Sequence, residues 1–314
     1  MTAQEVNGLV IGEVKKVIVG KDEVIEKIWM AILAQGHVLL EDVPGVGKTT
    51  IAMSFSRALG LDVKRIQFTP DTMPSDITGF SVYDQGELKY QEGSVMTNLL
   101  LADEINRTSA KTQSALLEAM EEGRVTVDGI THELPHPFVV LATQNPVGSA
   151  GTMNLPASQL DRFLMRLHIG YPNHAGQIDL LKARHSADPL DSVNKVLTIE
   201  QLLYIFNLVE QINIADPVYE YIVRLCEATR SHEMIQLGVS PRASLALCRV
   251  VKAKAFLSGR NYVVLEDVTK VLKDVFAHRL VLSSRARIHD LSAEVILDDI
   301  LKNVPKPMMS EKNL

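Results

Sequence analysis

The run GHVLLEDVPGVGKTT, from Gly36 to Thr50, limits the possible folds more than any other stretch of the chain. The apolar segment HVLLE reads as a buried strand, PGVGKTT as a loop bracketed by Gly45 and Gly47, and IAMSFSRAL as a helix. Strand, glycine-rich loop and helix in that order form a concavity. The glycines let consecutive backbone N–H groups point inward, and the helix N-terminus adds partial positive charge. Lys48 is placed to reach the terminal phosphates of a bound nucleotide, and the Thr49 hydroxyl to hold Mg2+. Pro44, Gly45, Val46, Gly47, Lys48, Thr49 and Thr50 are therefore the candidate cradle for ATP. Asp42 stands where the usual phosphate-loop pattern has a glycine, and an inward-facing carboxylate there would weaken phosphate affinity. The competing reading is a glycine-rich turn carrying a solvated lysine.

From Gly36 to Tyr171 short apolar runs alternate with helical segments, the pattern of a mostly parallel sheet covered by helices on both faces. Strands are predicted at HVLLE, KRIQFT, NLLLADE, PFVVLAT and MRLHIGY. After Pro172 the texture changes to successive amphipathic helices, including IEQLLYIFNLVEQI and RASLALCRVVKAKAFLSG. The expected fold class is α/β, a three-layer αβα core over residues 1–172, a linker over 173–190, a smaller all-helical lid over 191–305 and a tail over 306–314.

NLLLADEINR ends an apolar strand in Asp103 and Glu104. At a strand end the backbone can turn both carboxylates toward the phosphate loop, Asp103 to bind Mg2+ through water and Glu104 to orient and deprotonate the attacking water. An acidic pair alone is weak evidence, but paired with GKT upstream it becomes specific. The following helix, SAKTQSALLEAMEEG, starts at a Ser109 cap and closes at Gly123, and RVTVDGITHEL reads as a hairpin turning at Asp128-Gly129.

Asn145 ends the run PFVVLATQN, where its amide could orient the lytic water or touch the γ-phosphate; the alternative is a turn-forming Asn-Pro. Arg242 opens a helix opposite the apolar stripe through Leu247, Val250, Val251 and Ala255. The helix dipole disfavours a cation in the first turn unless an anion is near, and a γ-phosphate could be that anion; solvent exposure is the alternative. Arg162, beside Asp161, either pairs with it or reaches a neighbouring subunit as an arginine finger, with Arg166 as the other candidate.

Taken together, LLEDVPGVGKT, RIQFTPDTMPSDITG, LLLADEINR, KTQSALLEAMEE, VVLATQNP, LPASQLDRFLM and GVSPRASLAL resemble the MoxR family of AAA+ ATPases. The resemblance implies ring-forming oligomers, usually hexamers, that hydrolyse ATP with Mg2+ and act like chaperones on client proteins, commonly ones with a von Willebrand factor A domain. It makes Asp103 and Glu104 the Walker B pair, Asn145 sensor one, Arg162 the finger and Arg242 sensor two. It also implies inserts around GFSVYDQGELKYQEGSVMTN and RVTVDGITHELPH. Two departures, Glu92 to Ser94 and Met153-Asn154, bear on partner contacts and insert shape rather than on nucleotide chemistry. Rival readings are a nucleotide-gated binding module with little turnover, a magnesium-chelatase-like subunit and a DNA-acting motor.

The remaining features narrow the class. No apolar run approaches the roughly 20 residues that span a bilayer, and the first residues lack the order of a secretory signal, so a cytoplasmic protein is expected. A formal charge of −6 with no basic arm disfavours non-specific nucleic-acid binding. Cys226 and Cys248 fall in helical patterns and read as buried thiols. His132 and His136 are expected on a loop with no structural zinc, and TPDTMPSDITG, with Asp71 and Asp76, as a loop rather than a second catalytic site.

Overall fold

The computed structural model describes residues 2–41, 47–144, 155–171, 174, 176–178 and 189–307. Two helices, α1 (Ala3–Lys15) and α2 (Asp22–Leu33), precede β1 (Val38–Glu41), which leads to α3 (Lys48–Leu59) and β2 (Val63–Gln67). A short helix α4 (Pro74–Thr78) and the hairpin β3 (Gly79–Asp84) and β4 (Glu87–Glu92) come before β5 (Leu99–Asp103). Next are α5 (Ala110–Glu122), a second hairpin of β6 (Arg124–Val127) and β7 (Ile130–Glu133), then β8 (Val139–Gln144), α6 (Ala157–Leu160) and β9 (Met165–Leu167).

The central sheet has the order β2-β5-β8-β1-β9, and every pairing in it is parallel. Alternate residues of its buried strands feed two separate cores, as a period of two requires. Val38, Leu40, Leu99, Leu101, Val139 and Leu141 pack on the side of α1, α2 and α3. Leu39, Leu100, Ala102, Val140 and Ala142 pack on the other side, with Leu116 and Leu117 of α5. The result is the three-layer αβα arrangement. Because the strands are parallel, all their carboxyl ends share one edge, where doubly wound sheets bind ligands.

Both hairpins turn through left-handed pairs, Gln85-Gly86 and Asp128-Gly129, the residue types that two-residue turns with positive φ favour. His132 lies on β7, not on a loop, and its ring stacks on Tyr90 of β4 with centroids 3.8 Å apart, so the hairpins brace each other. The second half of TPDTMPSDITG, Pro74–Thr78, likewise departs from the expected loop, while residues 69–73 keep to it. Pro74 occupies the first turn of α4, and the Asp76 carboxylate accepts the Met73 N–H at 2.8 Å, which together start a helix.

The second domain comprises α7 (Ile199–Glu210), α8 (Asp216–Ser231), β10 (Ile235–Leu237), α9 (Pro241–Leu257), α10 (Leu265–Phe276), β11 (Val281–Leu282), α11 (Ser284–Ile288) and α12 (Ala293–Asn303). It is a helical lid with one small antiparallel pair, β10 with β11. Hydroxyl caps start several of its helices: Thr198 for α7, Ser240 for α9 and Ser292 for α12. The core on the α1–α3 side runs on into this lid through Val250, Val251, Val268 and Leu272. Helices α1 and α2 pack against α9, so they are shared between the two domains.

His37, immediately before β1, ties the end of α5 to β8. Its Nδ1 accepts the Val140 N–H at 3.0 Å, which leaves Nε2 to donate to the Met120 carbonyl at 3.0 Å. Burial holds its pKa at about 4, below the ordinary 6.5. His278 is depressed in the same direction, by burial and by Arg279. The unfolded chain therefore takes up these protons first as pH falls. The contribution of His37 to stability is complete above pH 6.5 and drains away as the pH approaches about 4, and that of His278 is lost in the same direction. Urea midpoints are expected to fall across that window. A His37→Asn variant, less stable than the parent at pH 7.5, is expected to fall less steeply; parallel curves for the two proteins would exclude this role for His37.

Candidate functional site

Lys48 begins α3 and is only 7% exposed, while Thr49 beside it is exposed. Gly47 stands at the N-cap in the left-handed region, at φ 93°, and no side chain caps the helix. The first-turn N–H groups are thus not taken up by a capping side chain, the chemistry an anion cradle needs. Asp42, Pro44, Gly45, Val46 and Asn145 lie outside the described residues, as does Met153-Asn154.

Asp103 and Glu104 emerge from β5 at the same sheet edge. Glu104 adopts a left-handed backbone, φ 59° and ψ 47°, a conformation that costs a non-glycine residue roughly 1–2 kcal/mol. That bend breaks the strand's alternation and frees the second carboxylate from pointing opposite the first. Thr143, fully buried near the end of β8, joins the pair: its hydroxyl accepts the Glu104 N–H at 2.8 Å and donates to Asp103 Oδ1 at 2.6 Å. Each carboxylate also has a cation. Arg65 contacts Asp103 Oδ2 at 2.9 Å, and Arg107 contacts Glu104 Oε2 at 2.8 Å. A lysine at an uncapped helix start, an exposed hydroxyl and two carboxylates on one edge form a donor set suited to a nucleotide and a hard divalent cation.

The three arginines singled out in the sequence pair with neither Asp103 nor Glu104 among the described residues. Arg166, on β9, contacts Glu41 at 3.4 Å and Glu294 of α12 at 3.1 Å, so it ties the sheet to the lid. Arg162 reaches Glu121, near the end of α5, at 3.2 Å. Arg242, in the first turn of α9, pairs with the same carboxylate through its other oxygen. Glu121 follows Met120, whose carbonyl His37 contacts before β1 begins, whereas Lys48 follows the end of β1. A four-residue strand spans about 13 Å at ~3.3 Å per residue. Within one chain Arg162 and Arg242 therefore meet at Glu121, toward the opposite end of β1 from Lys48, and the ion pairs of Asp103 and Glu104 are made by other arginines.

Arg65, Arg107, Thr143 and Glu121 are absent from the sequence-based site. Arg107 has a local signal, since it sits three residues after Glu104. Thr143 and Glu121 have none, because their partners are tens of residues away in the chain.

This fold and site define an AAA-type P-loop core with a helical lid. Residues 37–165 match the model of the ATPase family associated with various cellular activities, and residues 227–300 match that of the AAA lid domain. The chain is 45% identical to the uncharacterised protein YeaC of Bacillus subtilis over 96% of its length and 95% of that protein's. It is 40% identical to the chaperone MoxR1 of Mycobacterium tuberculosis, over 96% of its length and 82% of the relative's. A crystal structure of a presumed ATPase from Cytophaga hutchinsonii superposes with a TM-score of 0.90 at 38% identity, covering 98% of this chain and 96% of that one. The chain belongs to the MoxR family of AAA+ ATPases.

The link through Thr143 can be weighed directly. Thr143→Val keeps the shape but leaves the Glu104 N–H without its acceptor, at an expected cost of about 1–3 kcal/mol, whereas Thr143→Ser retains the hydroxyl. Urea unfolding should separate the two variants; equal stabilities would show that the hydroxyl is not needed there.

Proposed function

We propose that the chain is a magnesium-dependent ATP hydrolase that works as a ring, hexameric by family resemblance, and couples turnover to remodelling of a client protein or to insertion of its metal cofactor. The observation that carries this reading is Lys48 at an uncapped helix start on the same sheet edge as Asp103 and Glu104. Clients with a von Willebrand factor A domain are the partner class the family resemblance supplies. No helix among the described residues is long and apolar enough to cross a membrane, which is compatible with work in the cytoplasm.

In this reading the loop from Pro44 to Thr50 cradles the phosphates and Lys48 faces the β and γ oxygens. Thr49 and, through water, Asp103 would hold Mg2+, whose charge offsets that of the same oxygens. Glu104 takes a proton from the attacking water as its oxygen approaches the γ-phosphorus and the bond to the β–γ bridging oxygen breaks. To do so, Glu104 first leaves Arg107. Asn145 orients the water. Arg162 and Arg242, at the far end of β1 from the chain's own Lys48, serve the nucleotide of the adjacent subunit, where they offset charge that develops on the transferring phosphoryl group.

Lys48→Ala is expected to lose ATP affinity, and Glu104→Gln to retain it while turnover falls about 10²-fold or more. Unchanged affinity in the first variant would remove the phosphate-cradle assignment. Near-native turnover in the second would point to another base. Arg162→Ala is expected to bind ATP but barely hydrolyse it. Co-expression of Lys48→Ala and Arg162→Ala under two affinity tags, with tandem purification of mixed assemblies, should recover activity. Random mixing gives about a quarter of interfaces an intact cradle facing an intact arginine. Mixed assemblies without recovered activity would sink the assignment of Arg162 to the neighbour's nucleotide.

A further inference from the structure

The carboxylate of Glu121 stands between two cations from different domains. Oε2 contacts Arg162 Nη2 at 3.2 Å, from the segment before β9, and Oε1 is paired with Arg242 Nη2, from the first turn of α9 in the lid. Each arginine gives Glu121 a single terminal nitrogen. The remaining nitrogens of both guanidinium groups make no hydrogen bond among the described residues. The three side chains are partly exposed, at 35% for Glu121, 31% for Arg162 and 47% for Arg242. They line a cleft of about 730 Å³ between core and lid, together with Arg249 and Lys252.

The segment that carries Arg162 is itself fixed to the lid. Asp161 accepts from Arg279 Nε at 2.7 Å through one oxygen and from the Ser240 hydroxyl at 3.0 Å through the other. Ser240 is the N-cap of α9, two residues before Arg242. The backbones under the two arginines are thus locked together by Asp161. What remains free is the direction of two long side chains of like charge, and the Glu121 carboxylate is the anion both of them contact.

We propose that Glu121 is a positioning residue for this arginine pair: it neutralises their mutual repulsion and aims their unused N–H groups outward, into the cleft, as a preformed site for the terminal phosphate that an adjacent subunit presents. The inference rests on the reading that Arg162 and Arg242 serve the neighbour's nucleotide. Glu121 touches neither substrate nor water in this scheme, and it acts only through the two guanidinium groups. Its loss therefore leaves each chain's own cradle intact.

Glu121→Gln keeps the shape and removes the charge. With folding confirmed by an unchanged melting temperature, kcat is expected to fall roughly 10- to 100-fold, the scale for misdirected catalytic groups, while KM for ATP stays within about twofold of the parent. A raised KM with parental kcat would overturn the proposal, as would parental values of both. The decisive measurement is the complementation class, read from doubly tagged, co-purified assemblies. Glu121→Gln with Lys48→Ala should exceed the activity of either protein alone, because intact cradles then face intact arginine pairs. Glu121→Gln with Arg162→Ala should not exceed Glu121→Gln alone, because both faults lie on the same face. If Lys48→Ala with Arg162→Ala recovers activity but Lys48→Ala with Glu121→Gln does not, Glu121 acts inside its own subunit and the proposal is wrong. If neither mixture recovers, the neighbour-directed reading fails and the proposal falls with it. Should Glu121→Gln melt early, Glu121→Ala carries the same two mixtures, and its failure to recover with Lys48→Ala beside a recovering Arg162→Ala mixture is equally decisive.

Discussion

Of the three strands at the centre of the sheet, β8 carries no charged side chain and β1 and β5 carry one only at their last residue. β1 is apolar from Val38 to Leu40, β5 from Leu99 to Ala102, and β8 from Val139 to Ala142, and all of these residues are buried. A parallel sheet covered on both faces leaves its interior no room for ionised groups, which cost too much to desolvate without partners. Charge is consequently pushed to the strand ends, and because the strands are parallel the carboxyl ends coincide. Glu41, Asp103 and Glu104 reach the same edge for that reason, and Lys48 follows one connection later. The buried Thr143 hydroxyl is the exception inside the sheet, and both of its hydrogen-bonding roles are filled by the neighbouring strand end. The position of the site is thus a consequence of how the core excludes charge.

That logic explains what the sequence made legible. Runs buried on both faces, such as NLLLADE and PFVVLAT, announce central strands, and the Ser109 cap and left-handed Gly123 bound α5 where the residues indicate. Turns at Asp128-Gly129 are equally local. Helix α4 escaped because five residues are too few to show a period, and its start depends on Asp76 capping Met73 rather than on a hydroxyl cap. β9 spans only Met165–Leu167, shorter than MRLHIGY, because its single neighbour β1 pairs with it only from Val38 to Leu40. Thr143 with Asp103, and Glu121 with Arg242, are contacts between segments 40 and 121 residues apart, and side-chain partnerships over such separations leave no periodicity to read.

Arg242 shows how far a local rule can go. A cation in the first turn of a helix faces the positive end of the dipole, so the residue pattern points to a nearby anion, with a γ-phosphate as the candidate, or to solvent exposure. In the folded chain that anion is Glu121, contributed by the other domain. Arg166 illustrates the opposite outcome. Its guanidinium is taken up by Glu41 and Glu294, which makes it a tie between sheet and lid, and of the two finger candidates it is Arg162 that lines the cleft. Buried Arg279 completes the join, with its charge offset by Asp161 and its other donors spent on the carbonyls of Phe163 and Leu164. Burial works against its ionisation, and the Asp161 carboxylate works for it.

These ties have a geometric consequence. The lid is held to the amino-terminal end of β1 and to the segment before β9, by Arg249 on the Ala34 carbonyl and by Arg279 on Asp161, and Arg166 adds a tie from Glu294 of α12 to Glu41 at the other end of β1. The proposed phosphate cradle follows β1 in the chain, after its carboxyl end. A lid hinged to swing its arginines onto its own cradle would have to break those buried contacts and travel the length of a strand. A second copy can meet the cradle with no such change, if its arginine face docks on the cradle face. The two surfaces differ, one carrying Lys48 at the uncapped start of α3 and the other the guanidinium groups around Glu121, so such a contact would be heterologous. Repeated head to tail, a heterologous contact closes into a ring whenever its rotation divides a full turn. In the proposed reading the ring is therefore what completes each site, and the rigid attachment of the lid makes the nucleotide of one subunit depend on the orientation of the next.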